Sequence, residues 1–145
     1  ILWVNSIGVR RPTATASDVR RLLSKLRRIV SGCREVEPNI FAMDPPVLPL
    51  PGVAFAERLN RVVLAARLRQ LCRRLGIDRP LLWTFQPNVN WLLGSLNERL
   101  VIYHCVDDHS ELPGVSKEVI AAMERDLVKR ADLVVTTVPL RSRRR

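Results

Sequence analysis

The chain of 145 residues is 26% charged and 47% hydrophobic, the balance of an ordinary globular protein long enough for one domain with a real core, which excludes a disordered or low-complexity class. Its formal net charge of +10, from 24 Lys and Arg against 14 Asp and Glu, makes an attractive field for anions without naming one: nucleic acid, anionic lipid head groups, phosphorylated sugars and a plain bias toward arginine all fit. No apolar run approaches the roughly 20 residues needed to span a bilayer, and the opening ILWVNSIGV has neither a basic leader nor a cleavage pattern, so a soluble, cytoplasmic protein is expected.

Ile1 to Ile7 reads as a strand that stops at Asn5, Ser6 and Gly8 and begins without any lead-in. Ser17 and Asp18 form a helix cap, after which Val19, Leu22, Leu23, Leu26, Ile29 and Val30 recur at helical spacing until Gly32. The opposite face, with Arg20, Arg21, Lys25, Arg27 and Arg28, is suited to an anionic membrane, or is simply a solvated face on a helix packed against a sheet. Asn39 to Met43 is a second strand. It runs into DPPVLPLPG, whose four prolines forbid helix and central strand and predict a stiff, ordered loop.

From Val53 to Leu75 the apolar residues Phe55, Leu59, Val62, Val63, Ala66, Leu68, Leu71, Cys72 and Leu75 predict a long helix with a wide buried stripe, ended by Gly76. LLWTF, after Arg79-Pro80, reads as a third, buried strand, and Asn88 in the turn Gln86-Pro87-Asn88 is placed to cap a short helix from Trp91 to Leu96. Leu100 to Val106 is an almost unbroken apolar and β-branched run, the pattern of a strand buried on both faces. Ser116 caps a helix with Val119, Ile120, Met123, Leu127 and Val128 inward, and Leu133 to Thr137 is the fifth strand. RSRRR follows where a further helix is expected, so both ends read as truncated.

Strands separated by helices of ten or more residues predict an α/β fold: a doubly wound, mostly parallel sheet with helices on both faces. Ligands of such sheets bind outside the carboxyl ends of the strands. There the run Leu100 to Val106 ends in His104, Asp107, Asp108, His109, Ser110 and Glu111, which makes this loop the first candidate site. The plainer alternative is that Asp107 and Asp108 only hold a turn and His109 is solvated.

Several chemistries fall away. Cys33, Cys72 and Cys105 are odd in number and lack CxxC spacing, which argues against a disulfide framework and a zinc site and for reduced, buried thiols. No GxGxxG, GxxxxGK[ST] or GxSxG occurs, so a dinucleotide fingerprint, a phosphate loop and a serine nucleophile elbow are absent. A metal held by His104 and Cys105 together fails because successive strand side chains point to opposite faces. A histidine beside acids at a strand end suits an acid, a base or a clamp on hydroxyl groups, which sugars and polyols present.

The stretches ILWVNSIGVRRP, VLPLPG, LLWTFQPN and ERLVIYHCVDDHSELPGV, with AMERDLVKRADLVVTT after them, resemble the amino-terminal domain of bacterial glycosyltransferases of the two-domain GT-B architecture. These are the retaining, nucleotide-sugar-dependent enzymes of capsule and exopolysaccharide clusters. The likeness runs over nearly the whole chain and is most specific from the strand Leu100 to Val106 through to ADLVVTT, although Val138 stands where the family usually has serine.

The resemblance implies a Rossmann-like, acceptor-side half of a GT-B fold over residues 1–145, with the family's first strand and helix ahead of Ile1. A donor-binding domain would follow, so that the fragment alone is inactive. It implies His104 and Asp107 as catalytic residues, His104 resembling the histidine that many members place beside the transferred sugar. Asn5, Ser6, Gln86, Asn88, Asp108 and His109 would line the acceptor crevice. Its partners would be a nucleotide-sugar donor, held by the following domain, and a saccharide or lipid-linked acceptor, with no metal and no cofactor. A peripheral contact with the inner face of the plasma membrane fits the basic helices, and nucleic acid has no part in this reading. The rival from another class is a non-catalytic α/β module that binds membrane lipid or nucleic acid through its Arg-rich helices.

Overall fold

The computed structural model describes residues 1–6, 32–48, 53–109 and 116–137. The chain forms two compact units, Ile1–Asp78 and Arg79–Arg145. The helix expected from Ser17 to Val30 lies outside the described residues, as do Ser110 and Glu111.

In the first unit, β1 (Leu2–Val4) pairs in parallel with β3 (Ile40–Met43), and β2 (Cys33–Glu37) pairs antiparallel with β3 on its other side. β2 is a strand beyond the five expected. Its sequence CREVE is exposed along nearly its whole length, so no apolar periodicity marks it. The turn that pairs it with β3 is at Pro38-Asn39, where Asn39 takes the left-handed φ of 64° that asparagine tolerates and donates its N–H to Glu35 Oε1 at 3.0 Å.

The long helix, α1, spans Ala54–Arg74. Leu75 ends it, and Gly76 at φ 66° lets the Ile77 N–H return to the Cys72 carbonyl at 2.9 Å and its own N–H to that of Arg73 at 3.4 Å, a left-handed cap that any Cβ would strain. The buried face differs from the one expected. Ala56, Asn60, Leu64, Ala65, Leu68 and Leu71 are inward, whereas Phe55, Leu59, Val62, Val63 and Ala66 are exposed. Apolar side chains run around most of the first half of this helix, so spacing alone does not select a face. Buried Asn60 is what orients it: its Oδ1 accepts the Leu48 N–H at 2.7 Å and its Nδ2 donates to the Leu48 carbonyl at 2.8 Å. That reciprocal pair pins the proline segment to the helix and satisfies groups that burial would otherwise leave unpaired.

The second unit is α/β with a parallel three-stranded sheet, order β4 (Leu81–Thr84), β5 (Leu100–Cys105), β6 (Leu133–Thr136). A 3₁₀ helix at Pro87–Leu92 connects β4 to β5 and α2 (Lys117–Arg130) connects β5 to β6. The two connections pack on each other, so both cover the same face of the sheet, as crossovers of one hand in sequential order require. Val101 and Tyr103 of β5 form the core there with Leu93 and Leu127, and Leu82, Cys105 and Ala131 pack around them. Within α2, Ile120, Met123 and Leu127 are inward as expected, but Val128 is exposed.

An ion-paired clasp holds the connections together. Arg130 donates to the Asn90 and Leu93 carbonyls at 3.0 and 2.9 Å and to Asp126 Oδ2 at 3.2 Å, and Asn90 Nδ2 donates to the same Asp126 oxygen at 2.8 Å. β4 was expected to be buried, yet Trp83 is 56% exposed. As an edge strand it has one packed face, and its outer residues Leu81 and Trp83 share the other face with Ile102 and Leu133 by register.

Candidate functional site

Strand parity separates two environments at the carboxyl end of β5. Tyr103 and Cys105 face α2, where the Tyr103 hydroxyl donates to Glu124 Oε1 at 2.5 Å and Cys105 Sγ lies 3.7 Å from the same oxygen. Burial first, and then the Glu124 carboxylate, push the Tyr103 hydroxyl well above the ordinary phenol range. His104 faces the other way, as alternation requires.

The His104 ring sits 5.2 Å from that of Phe85 and 6.1 Å from that of Trp83, and the two carbon aromatics stack at 6.3 Å. Both His104 ring nitrogens are shielded, and neither has a hydrogen-bond partner among the described residues. It does not lie past the strand end, as the reading of the acidic loop suggested. It is a strand residue in register with Val135, presented on the sheet face.

The loops around it are built from the neighbouring polar residues. Thr84 Oγ1 donates to the Gln86 carbonyl at 3.1 Å and accepts the Gln86 N–H at 3.2 Å, a hydroxyl turn that ends β4. Pro87 then opens the 3₁₀ helix with Gln86 as its cap residue. Asn88 is therefore inside this helix and buried rather than capping a later one, because proline is suited to the first helical position. His109 is 8% exposed, not solvated. Its Nε2–H donates to the Phe85 carbonyl at 2.8 Å, which latches the loop after β5 to the end of β4 and assigns the proton to Nε2, since a carbonyl only accepts.

Asp107 is exposed and its Oδ1 accepts the N–H of the next residue, Asp108, at 2.8 Å. Asp108 is likewise exposed. In the first unit, Asn5 Nδ2 donates to Asp44 Oδ1 at 3.0 Å while the Asn5 N–H meets the Met43 carbonyl at 2.9 Å, joining the ends of β1 and β3; Ser6 is exposed. The second unit thus brings Gln86, Asn88, His104, Asp107, Asp108 and His109 to one edge of its sheet.

Two participants went unnoticed in the sequence, Trp83 and Phe85. Their signal was available: in LLWTF they share parity, and pairing β4 with β5 puts that parity on the face of His104. Among the described residues no group of three or more His, Cys, Asp or Glu is placed to hold a metal ion, and no helix is long and apolar enough to cross a membrane. A depression lined by Gly94, Asn97, Glu98 and Arg130 lies at the opposite end of β5. Its charged groups are engaged: Glu98 accepts the N–H groups of Gly94 and Leu96, and Arg130 is in the clasp. No family model matches the chain, and no curated protein matches it.

Proposed function

We propose that residues 1–145 are the acceptor-side part of a GT-B glycosyltransferase, in which the complete enzyme transfers a sugar from a nucleotide-sugar donor to a saccharide or lipid-linked acceptor. The observation that carries this reading is His104, whose two nitrogens have no described partner beside Trp83, itself 56% exposed; both nitrogens are shielded, so a ligand reaches them once the Trp83 and Phe85 rings shift. A saccharide presents hydroxyls to a hydrogen-bonding ring and an apolar C–H face to an aromatic one, so the pair matches its mixed surface. On this reading His104 is the clamp or proton-transfer group, Asp107 is the second catalytic residue, and His109, Gln86 and Asn88 belong to the acceptor-binding loops beside them. The sheet, on this reading, belongs to a doubly wound, Rossmann-like fold, whose ligands bind outside the carboxyl ends of the strands. The diphosphate and nucleoside would be held by a second domain, because no phosphate-cradling loop occurs in residues 1–145.

The test is titration of the chain with a panel of monosaccharides, disaccharides and polyols, followed by NMR of the His104 ring and the Trp83 indole. Saturable shifts of both are expected, with no calorimetric binding of nucleotide sugars. A panel that leaves both rings unperturbed, or micromolar nucleotide-sugar binding by this chain, overturns the assignment.

A further inference from the structure

The two rings beside His104 are held in different ways. Trp83 lies inside the β4–β5 ladder, opposite Ile102, and Thr84, opposite Tyr103, is the last paired residue of β4. Phe85 follows one residue later, outside the ladder, yet its ring is the nearer to the imidazole, with centroids 5.2 Å apart against 6.1 Å for Trp83. Its chain neighbours Thr84 and Gln86 are tied to each other through the Thr84 hydroxyl. Phe85 therefore sits at the tip of a small closed turn that moves as one piece about the strand end.

That turn is fastened from the loop after β5. His109, 8% exposed, donates Nε2–H to the Phe85 carbonyl at 2.8 Å. Breaking this bond frees the turn and lets the Phe85 ring swing off the imidazole, which opens the His104 nitrogens to an outside partner. In the closed form both nitrogens are shielded and lack a partner among the described residues. A ligand that pairs them therefore favours the open form, because it removes a cost that only the closed form bears.

We propose that Phe85 is a movable cover on His104 and that His109 is the positioning residue that bolts it shut, so that a ligand reaches His104 through release of the His109–Phe85 bond. The class of that ligand, a hydroxyl-rich saccharide, rests on the function proposed above. The cover and its bolt do not, and their test uses no saccharide.

The chain has two histidines, so any substitution of His109 leaves His104 as the single imidazole. Its carbethoxylation by diethyl pyrocarbonate can then be followed by absorbance and located by peptide mass spectrometry. His109→Gln, whose terminal amide can donate to the Phe85 carbonyl in place of Nε2, should react slowly. His109→Ala should react about three- to tenfold faster, the range for losing one net hydrogen bond from the closed form. Phe85→Ala in the His109→Gln background should react at least as fast as His109→Ala. Rates are compared on the plateau of each pH profile, which separates access from ionisation. Arg130→Ala in the His109→Gln background loosens the clasp at the other end of the unit without touching the bolt, and should keep the slow rate. Equal rates for His109→Gln and His109→Ala would overturn the proposal. So would acceleration by Arg130→Ala as large as that by His109→Ala, since it would mark general loosening. If the rates come out as expected but no saccharide shifts the His104 ring, the cover stands and the function proposed above falls.

Discussion

His104→Phe is expected to stabilise the protein while removing saccharide binding. An imidazole has two polar ring nitrogens in either protonation state, and each buried polar group left unpaired costs about 1–3 kcal/mol. Both nitrogens of His104 are shielded without a described partner, while the ring as a whole is half-buried between Trp83 and Phe85. Phenylalanine keeps the aromatic packing and deletes the unpaired groups, with a small loss for its extra volume. The net gain should be about 1–2 kcal/mol, read as a rise of roughly 2–6 °C in melting temperature by calorimetry. NMR titration of the same variant should show no saccharide-dependent shift at Trp83. Destabilisation by more than about 1 kcal/mol, with saccharide binding retained, would refute the reasoning, because His104 would then be a satisfied packing residue.

Arg130→Ala should destabilise the protein by about 1–2 kcal/mol in denaturant titration; two carbonyl hydrogen bonds are lost, and the Asp126 pair, roughly 40% exposed on both sides, is worth little by itself. The Asn90 amide, and then Arg130, hold the Asp126 carboxyl below its usual value despite some burial, so its contribution is present above the ordinary carboxylate range and lost as pH falls through the lowered folded-state pKa; Asp126→Asn should flatten the acid limb of the stability profile. For Tyr103 the sign is opposite. With its folded-state pKa raised, the unfolded chain ionises first, and stability should fall above about pH 10 by roughly 1.4 kcal/mol per pH unit, a slope that Tyr103→Phe removes in alkaline melts.

How much was legible depended on whether burial left a one-sided pattern. β5 was readable because it is central: Val101, Ile102 and Tyr103 are all buried, and the opposite placement of His104 and Cys105 follows from alternation alone. β4 was readable as a strand but not as an edge strand, since LLWTF is more apolar on its open face, Leu81, Trp83 and Phe85, than on its packed one, Leu82 and Thr84. β2 was hidden for the converse reason, being charged and exposed on both sides. Along α1 the apolar positions point nearly all round, and the inward face is decided by Ala56, Leu64 and Leu68 with a polar residue, Asn60, at their centre. No hydrophobic pattern marks an asparagine as core. The burial of His109 was not legible because it goes with a hydrogen bond to a residue 24 positions away, which no local spacing encodes.

The two ends of β5 are unlike in a way that bears on function. At the amino end the nearby polar groups are spent on backbone. Asp132 Oδ2 accepts the Val101 N–H at 2.8 Å while its own N–H goes to the Val101 carbonyl at 3.0 Å, and Glu98 binds the turn ahead of the strand. At the carboxyl end His109 is engaged with the Phe85 carbonyl and Asp107 with the Asp108 N–H. The two His104 nitrogens and Asn88 Oδ1 are instead buried without a hydrogen-bond partner among the described residues, and the position of His104 explains how the fold tolerates it. The core of this unit is built from the opposite parity of the same strand, so an unsatisfied imidazole at His104 costs stability without disturbing Tyr103, Leu127 or Leu93. An unpaired polar group is most readily retained where the surrounding packing over-determines the backbone and a ligand supplies the missing bonds. On the proposed reading the saccharide binds on the Trp83 side of the sheet, whereas a substitution at Cys105, one residue away, acts on the core side and, through the 3.7 Å contact of Sγ with the Asp107 carbonyl, on the turn after the strand.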